Sequence, residues 1–89
     1  MVHELPIEPE LDLHAFAPRD IPSVVEEYVR AAHEAGLSEL RLVHGRGRGV
    51  QRAGLHRLLA SLSWVECFAD APPLSGGWGA TLVQLKPRE

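Results

Sequence analysis

Three side chains that can hold or move a proton lie beside turns of this sequence: Asp12, His14 and His44. His44 opens the run His-Gly-Arg-Gly-Arg-Gly, which ends at Gly49. A histidine exchanges protons near neutral pH, and a nearby carboxylate orients its ring. A glycine-rich turn that leads into a helix presents backbone N–H groups and the positive end of the helix dipole. This combination predicts an anion site, most naturally for phosphate, with acid–base chemistry beside it.

Positive charge is concentrated around the glycine run. Residues 40–65 hold five arginines and no acidic residue, whereas the other residues carry a formal charge of −8 and the whole chain −3. Such a local cluster is typical of a polyanion site on an otherwise acidic protein. The alternative is a general preference for arginine, since the chain has eight arginines and one lysine. The predicted phosphate contacts in this segment are Gly45, Arg46, Gly47, Arg48, Gly49 and Arg52.

A second glycine-rich loop, residues 76–79, precedes the last predicted strand. Trp78 lies between glycines, where its ring can stack on a base or simply fill a gap over the sheet edge. Neither loop has the Gly-Lys-Ser/Thr of a Walker loop or the glycine spacing of a dinucleotide site. The predicted nucleic-acid contacts of this loop are Gly76, Gly77, Trp78 and Gly79.

The metal requirement is left open by the sequence. A two-metal nuclease needs a cluster of carboxylates, and no complete cluster is visible among the predicted site residues. Asp12 is the one carboxylate expected there. It is therefore the candidate ligand for Mg²⁺ or Mn²⁺ if a divalent ion takes part.

Periodicity and turn residues divide the chain into six elements that follow an extended arm, residues 1–10. Strands are predicted where apolar residues alternate, and helices where they recur at three- and four-residue spacing. Asp20 is the expected N-cap of the first helix, and Gly36 its left-handed C-terminal cap. Gly54 is an anomaly inside the second helix, where glycine costs about 1 kcal/mol relative to alanine. The predicted strands are 11–14, 39–44, 65–69 and 80–85, and the predicted helices are 20–35 and 50–62.

The order βαβαββ predicts a two-layer α/β sandwich, a mixed four-stranded sheet with both helices on one face. The strand–helix–strand units favour parallel neighbours for the first three strands, and the short connection makes the fourth antiparallel. His14, His44 and the 76–79 loop should then meet at one sheet edge. Alternation should place Asp12 and His14 on the same strand face. The residues expected to face the core are Val24, Val25, Tyr28, Val29 and Ala32 on the first helix, and Leu55, Leu58, Leu59 and Leu62 on the second.

The remaining residues exclude several classes of protein. Cys67 is the one cysteine, so neither an internal disulfide nor a cysteine-based metal site is possible, and the residue is expected in the core. His56 is expected at the surface. No apolar run is long enough for a transmembrane helix, and the first residues lack the pattern of a signal peptide. A cytoplasmic monomer without a membrane partner is the expectation.

Three short motifs, in this order along the chain, resemble the signatures of the Smr (small MutS-related) domain. They are Leu-Asp-Leu-His at 11–14, His-Gly-Arg-Gly-Arg-Gly at 44–49 and Gly-Gly-Trp-Gly-Ala-Thr at 76–81, the last followed by a strand. The resemblance covers residues 11–85, and the domain is predicted over residues 11–86. The chain resembles the stand-alone form of the domain. One position departs from the family pattern, because Ala15 stands where the family has glycine.

This resemblance implies the βαβαββ sandwich, nucleic-acid binding and, as in several family members, endonuclease activity on DNA or RNA. The expected activity is weak, structure-preferring hydrolysis or nicking of phosphodiesters, with Asp12, His14 and His44 as the catalytic residues. The alternative is a DNA- or RNA-binding module without catalysis, which Ala15 and the net acidity favour. A protein-interaction domain and a small-nucleotide site rank below both, since neither has a specific signal in the sequence.

Overall fold

The computed structural model describes residues 7–45, 49–72, 74 and 79–87. Several predicted positions lie outside these residues, namely part of the arm (1–6), Arg46, Gly47, Arg48, Gly76, Gly77 and Trp78. The described elements are strand β1 (Glu10–Asp12), helix α1 (Ile21–Glu34), strand β2 (Glu39–Val43), helix α2 (Gly49–Ser61), strand β3 (Val65–Asp70) and strand β4 (Ala80–Leu85). This is the predicted order.

The four strands form one mixed sheet in the order β1-β2-β4-β3. β1 and β2 are parallel, and β4 is antiparallel to both β2 and β3, so the first three strands run in the same direction as predicted. The expectation that β3 neighbours β2 is wrong, because β4 lies between them. The physical reason lies in side-chain polarity: β3 carries Glu66 and Asp70, which suit a sheet edge, whereas β4 has no charged residue and is largely buried in the central place.

Both helices cover one face of the sheet. Val25, Val29 and Ala32 of α1 have no exposed surface, and Leu55 and Leu59 of α2 are almost as deeply buried. They pack against the inward residues of the sheet, and the other predicted helix residues, Val24, Tyr28, Leu58 and Leu62, flank the same cluster. The sheet contributes Leu40, Leu42, Val65, Val83 and Leu85. The predicted core and the two-layer arrangement are confirmed.

The first strand is shorter than predicted. It ends at Asp12, and Leu13–Ala15 form a 3-10 turn in which only Leu13 is buried. The cause is local, because the Asp12 carboxylate accepts a hydrogen bond from the His14 backbone N–H at 2.9 Å. A short acidic side chain that binds the backbone two residues ahead offers the chain an alternative to the strand ladder.

At the two ends of α1, the predicted C-terminal cap is confirmed and the predicted N-terminal side-chain cap is wrong. Gly36 has a φ of +88°, and its N–H donates to the His33 carbonyl while Leu37 N–H donates to Ala32, which is the predicted left-handed cap. Asp20 precedes the helix but its side chain makes no capping bond. Its backbone is already helical, since residues 18–20 form a 3-10 turn, and an N-cap side chain needs an extended backbone.

Cys67 is exposed, so its predicted place in the core is wrong. It lies on the edge strand β3, where the pairing with β4 is irregular between Val65 and Cys67. This irregularity leaves Val65 buried and turns the thiol outward. None of the described helices is long and apolar enough to cross a membrane.

Candidate active site at the sheet edge

The ends of three strands meet at one edge of the sheet. Asp12 of β1, Val43 of β2 and Ala80 of β4 are paired in one row. Just beyond this row, the backbone N–H groups of His44 and Gly45 both donate to the Gly79 carbonyl at 2.9 Å. The predicted meeting of the first two motifs with the third is therefore confirmed for Gly79, the one residue of loop 76–79 that lies within the described ranges.

Asp12 and His14 form a hydrogen-bonded pair at this edge. Asp12 Oδ1 lies 2.8 Å from His14 Nδ1, and the two side chains are 62% and 60% exposed. A carboxylate only accepts, so Nδ1–H is the donor and Nε2 of the neutral ring carries a lone pair. The His14 backbone N–H, and then its ring, lower the pKa of Asp12. The pair is held by the 3-10 turn rather than by the predicted strand alternation.

The His14 ring rests on Gly45. A Cβ built on Gly45 would lie 2.5 Å from His14 Nε2, closer than any real contact of that kind. Gly45 also has a φ of +81°, a backbone region that L side chains rarely adopt. The peptide groups on both sides of Gly45 are hydrogen-bonded, since its N–H binds Gly79 and its carbonyl oxygen lies 3.0 Å from His44 Nδ1. A residue with a side chain does not fit this position unchanged.

His44 is buried, with 5% of its surface exposed, and both ring nitrogens have protein partners. Nδ1 lies 3.0 Å from the Gly45 carbonyl oxygen, and Nε2 lies 2.9 Å from Thr81 Oγ1. Burial is the main cause that lowers the pKa of this imidazole. These contacts favour a neutral ring that holds the loop. Both ring nitrogens are occupied, so the geometry does not support the predicted catalysis by His44, which stays a prediction.

Two residues that the sequence analysis did not assign to the site, Thr81 and His56, lie next to His44 in a chain of hydrogen bonds. Thr81 is fully buried on β4, and its hydroxyl also lies 3.1 Å from His56 Nε2. His56 is partly buried on α2 against the Phe68 ring, at a centroid distance of 5.0 Å, so its predicted surface position is wrong. The helix turns this histidine toward the sheet because it lies three residues before the buried Leu59, so the two side chains share one helix face.

Arg52 pairs with a carboxylate of the protein. Its Nε donates to Asp70 Oδ1 at 2.8 Å and its Nη2 to Oδ2, which makes a two-pronged ion pair between α2 and β3. The hydrogen bonds from Arg52 are the main cause that lowers the pKa of Asp70. The predicted contact of Arg52 with a phosphate is untested, and this pairing favours an internal role instead. The spacing of Arg52 and His56 by four residues was the signal available in the sequence.

The donor set at the edge does not by itself make a metal site. Among the described residues, no three histidine, cysteine or acidic side chains converge. Asp12 is the one carboxylate of the catalytic prediction, and its Oδ1 is already bound to His14. Mg²⁺ is commonly held by one or two carboxylates together with substrate phosphates and water, so the site residues alone do not fit a resident ion.

The comparison with known proteins agrees with the motifs and the fold. The sequence profile of the Smr domain matches residues 11–86, most of the chain. The chain belongs to the Smr domain family. The crystal structure of the Smr domain of Thermus thermophilus MutS2 superposes with a TM-score of 0.84 at 40% identity, over 90% of this chain and 100% of that chain. YdaL from Escherichia coli, a stand-alone small MutS-related protein, gives 0.82 at 26% identity, over 91% and 66%.

The Smr domain is also found within much longer relatives. Endonuclease MutS2 of Thermus thermophilus is 41% identical over 78 residues, which are 88% of this chain and 10% of that protein. Endonuclease MutS2 of Lactiplantibacillus plantarum is 39% identical over 84 residues, 94% of this chain and 11% of that protein. This chain therefore spans about a tenth of the length of these relatives and is homologous to their Smr domains.

Proposed function

We propose that this Smr domain binds nucleic acid and hydrolyses phosphodiester bonds, with His14 as the general base and Asp12 as its orienting carboxylate. The observation that carries the proposal is the exposed Asp12–His14 pair, held with Nδ1 on the carboxylate and with Nε2 beside Gly45. A base must be oriented and must reach the proton that it removes. No protein partner for Nε2 is found within the described residues, which leaves its lone pair available to substrate.

The step follows from this orientation. His14 Nε2 takes a proton from a water molecule, or from a ribose 2′-hydroxyl if the substrate is RNA. The activated oxygen forms a bond to phosphorus, the bond to the leaving oxygen breaks, and that oxygen takes a proton from solvent. Asp12 stabilises the positive ring that forms for the time of the step. Gly45 and the predicted contacts Arg46, Gly47, Arg48 and Gly49 hold the phosphate and offset its growing charge.

A second candidate function is nucleic-acid binding without cleavage. The buried and fully bonded ring of His44 leaves one exposed histidine in place of the predicted pair. Ala15 replaces the glycine of the family pattern immediately after His14. These two observations favour a binding module that binds the phosphates of DNA or RNA without cleavage. The proposed ligands include branched or structured forms, and the proposed state of the protein is a cytoplasmic monomer.

The deciding experiment is cleavage of supercoiled plasmid and, in parallel, of an RNA stem-loop by purified protein with EDTA, Mg²⁺ or Mn²⁺. The variants are His14→Ala and, as a matched histidine control away from the edge, His33→Ala. We expect cleavage by the wild type and the control, and loss of at least about a hundredfold in His14→Ala. The plasmid and RNA arms identify the substrate, and the EDTA arm shows whether a metal is needed.

Binding is measured on the same substrates by fluorescence anisotropy over a range of salt concentrations. A phosphate-binding protein loses affinity steeply as salt rises, by roughly one counterion for each neutralised phosphate. Salt-dependent binding with no cleavage in any sample would replace the nuclease by the binding module. Neither binding nor cleavage would overturn both functions.

A further inference from the structure

We propose that Thr81 and His56 are positioning residues of the candidate site: the Thr81 hydroxyl, oriented by His56, keeps the His44 proton on Nδ1, and this proton fixes the Gly45 peptide on which His14 rests. The effect on cleavage rests on the proposed function. The effect on the ring of His44 does not, so the two are tested separately.

The direction of each hydrogen bond follows from the outermost acceptor. The Gly45 carbonyl oxygen can only accept, so His44 Nδ1, 3.0 Å away, carries the proton. In a neutral ring Nε2 is then an acceptor, and the one hydrogen that can reach it, across 2.9 Å, is that of the Thr81 hydroxyl. As a donor to Nε2, the Thr81 hydroxyl therefore favours the tautomer with the proton on Nδ1 over the one with the proton on Nε2.

His56 completes the chain. The Thr81 hydroxyl donates its one hydrogen to His44. Its oxygen therefore accepts a hydrogen bond from His56 Nε2, 3.1 Å away, which makes His56 the donor. The three groups come from the residue that follows β2, from β4 and from α2, and no buried side-chain nitrogen or oxygen among the described residues lacks a partner. A buried chain in which every donor has one possible acceptor holds its members in a single arrangement.

The charges around His56 support the same direction. Asp70 Oδ1 lies 3.8 Å from His56 Nε2, and Arg52 neutralises this carboxylate from the other side. Asp70 is also paired with Thr81 across the two strands. The partly exposed Arg52–Asp70 ion pair thus lies beside His56, and Arg52, a predicted phosphate ligand, also pairs with a carboxylate of the protein.

The consequence reaches the reacting group through Gly45. The peptide group before Gly45 is held through its N–H by Gly79, and the peptide group after Gly45 is held through its carbonyl oxygen by His44 Nδ1, so both have little freedom to turn. His14 Nε2 lies 2.5 Å from the place that a Cβ on this glycine would take. Losing the Thr81 hydroxyl releases the His44 ring to change tautomer, frees the Gly45 carbonyl, and removes the surface that orients His14.

The test is the tautomer of His44, read from long-range ¹H–¹⁵N correlation spectra of the histidine rings at pH 7.5. Wild type is expected to show the proton on Nδ1. Thr81→Val removes the hydroxyl at similar volume and is expected to lose this uniform state, and Thr81→Ser to restore it. Val83→Ala, on the same face of β4, destabilises the core without touching the chain and is expected to keep the wild-type tautomer.

His56 gives an independent pair of variants, which decides the matter if Thr81→Val does not fold. His56→Gln keeps an N–H donor and is expected to behave as wild type, whereas His56→Leu removes the donor and is expected to behave as Thr81→Val. An unchanged Nδ1 tautomer in Thr81→Val or, where that variant does not fold, in His56→Leu would overturn the proposal. So would a wild-type His44 with its proton on Nε2.

Cleavage is the second readout. We expect a loss of roughly tenfold to a hundredfold in Thr81→Val, with rescue in Thr81→Ser, because a misplaced base loses rate without losing substrate. Wild-type cleavage by a Thr81→Val protein whose tautomer has changed would overturn the link to His14. If the wild type cleaves nothing, the proposed function fails, and the spectra still decide whether Thr81 positions His44.

Discussion

His14 Nε2 would lie 2.5 Å from a Cβ on Gly45, so the ring of the exposed histidine occupies the space that any side chain at position 45 would need. The two residues are 31 positions apart in the chain and belong to different motifs. This contact joins a potential base to the first glycine of the predicted phosphate loop. It explains why a side chain at position 45 would displace the histidine ring.

Gly45→Ala tests this contact, and Gly36→Ala is its matched control. Both glycines have positive φ values, +81° and +88°, so alanine costs each about 1–2 kcal/mol of stability. A Cβ on Gly36 meets nothing within 4 Å, whereas one on Gly45 displaces the His14 ring. We expect similar stability losses by urea denaturation, but a loss of cleavage of about a hundredfold only in Gly45→Ala. Equal cleavage by the two variants would contradict the contact.

Asp12→Ala and Asp12→Asn separate charge from orientation. Asparagine can still accept from the backbone and ring N–H groups of His14, whereas alanine loses both bonds. We expect the cleavage rate to fall in the order wild type, Asp12→Asn, Asp12→Ala, by roughly a hundredfold in total. Asp20→Ala, an exposed aspartate with no capping bond, is the control and should cleave at the wild-type rate. A wild-type rate in Asp12→Ala would remove Asp12 from the site.

Gly54→Ala is expected to stabilise the protein. Gly54 lies inside α2, and a Cβ there would meet nothing within 4 Å, so close packing does not explain this glycine. Alanine removes the conformational freedom of glycine from the unfolded chain and gains about 0.5–1 kcal/mol. For a domain of this size, the midpoint of thermal unfolding should rise by about 2–8 °C in calorimetry. A lower midpoint would mean that the surroundings of Gly54 cannot accept a methyl group.

Stability should fall as the pH drops below about 6.5. Burial lowers the pKa of His44 and of His56 in the folded protein, so between the folded and unfolded pKa values the unfolded chain binds more protons. The two rings make their full contribution to the free energy of unfolding above the pKa that they have in the unfolded chain. This contribution is lost as the pH falls, by at most about 1.4 kcal/mol per pH unit for each ring. Urea denaturation at pH 8, 7, 6 and 5 measures this slope.

His56→Gln identifies the source of that slope. Glutamine does not titrate, so the variant should lose less stability than wild type between pH 7 and pH 5. The carboxylates of Asp12 and Asp70, whose pKa values are lowered by His14 and Arg52, act only in a more acidic range. A slope identical to that of wild type would assign the effect to other groups.

Local chemistry explains why so much of the fold was predictable. The apolar stripe of α1, the left-handed Gly36 and the alternation of β2 depend on residues within about four positions of one another. The short motifs indicated the family for the same reason, because each one lies within a few consecutive residues. The errors at His14 and Asp20 also have local causes, since in each case a 3-10 turn replaces the expected strand or cap.

The sequence by itself determined the helices and strands, their order and the helix residues that face the core. Only the tertiary structure decided that β4 lies between β2 and β3, which brings Gly79 to Gly45 and Thr81 to His44. It also decided that His44 is enclosed, that Arg52 binds Asp70 and that Cys67 faces outward. The reason is physical: strands far apart in the chain compete for the centre of the sheet through total burial, and no local window contains that balance.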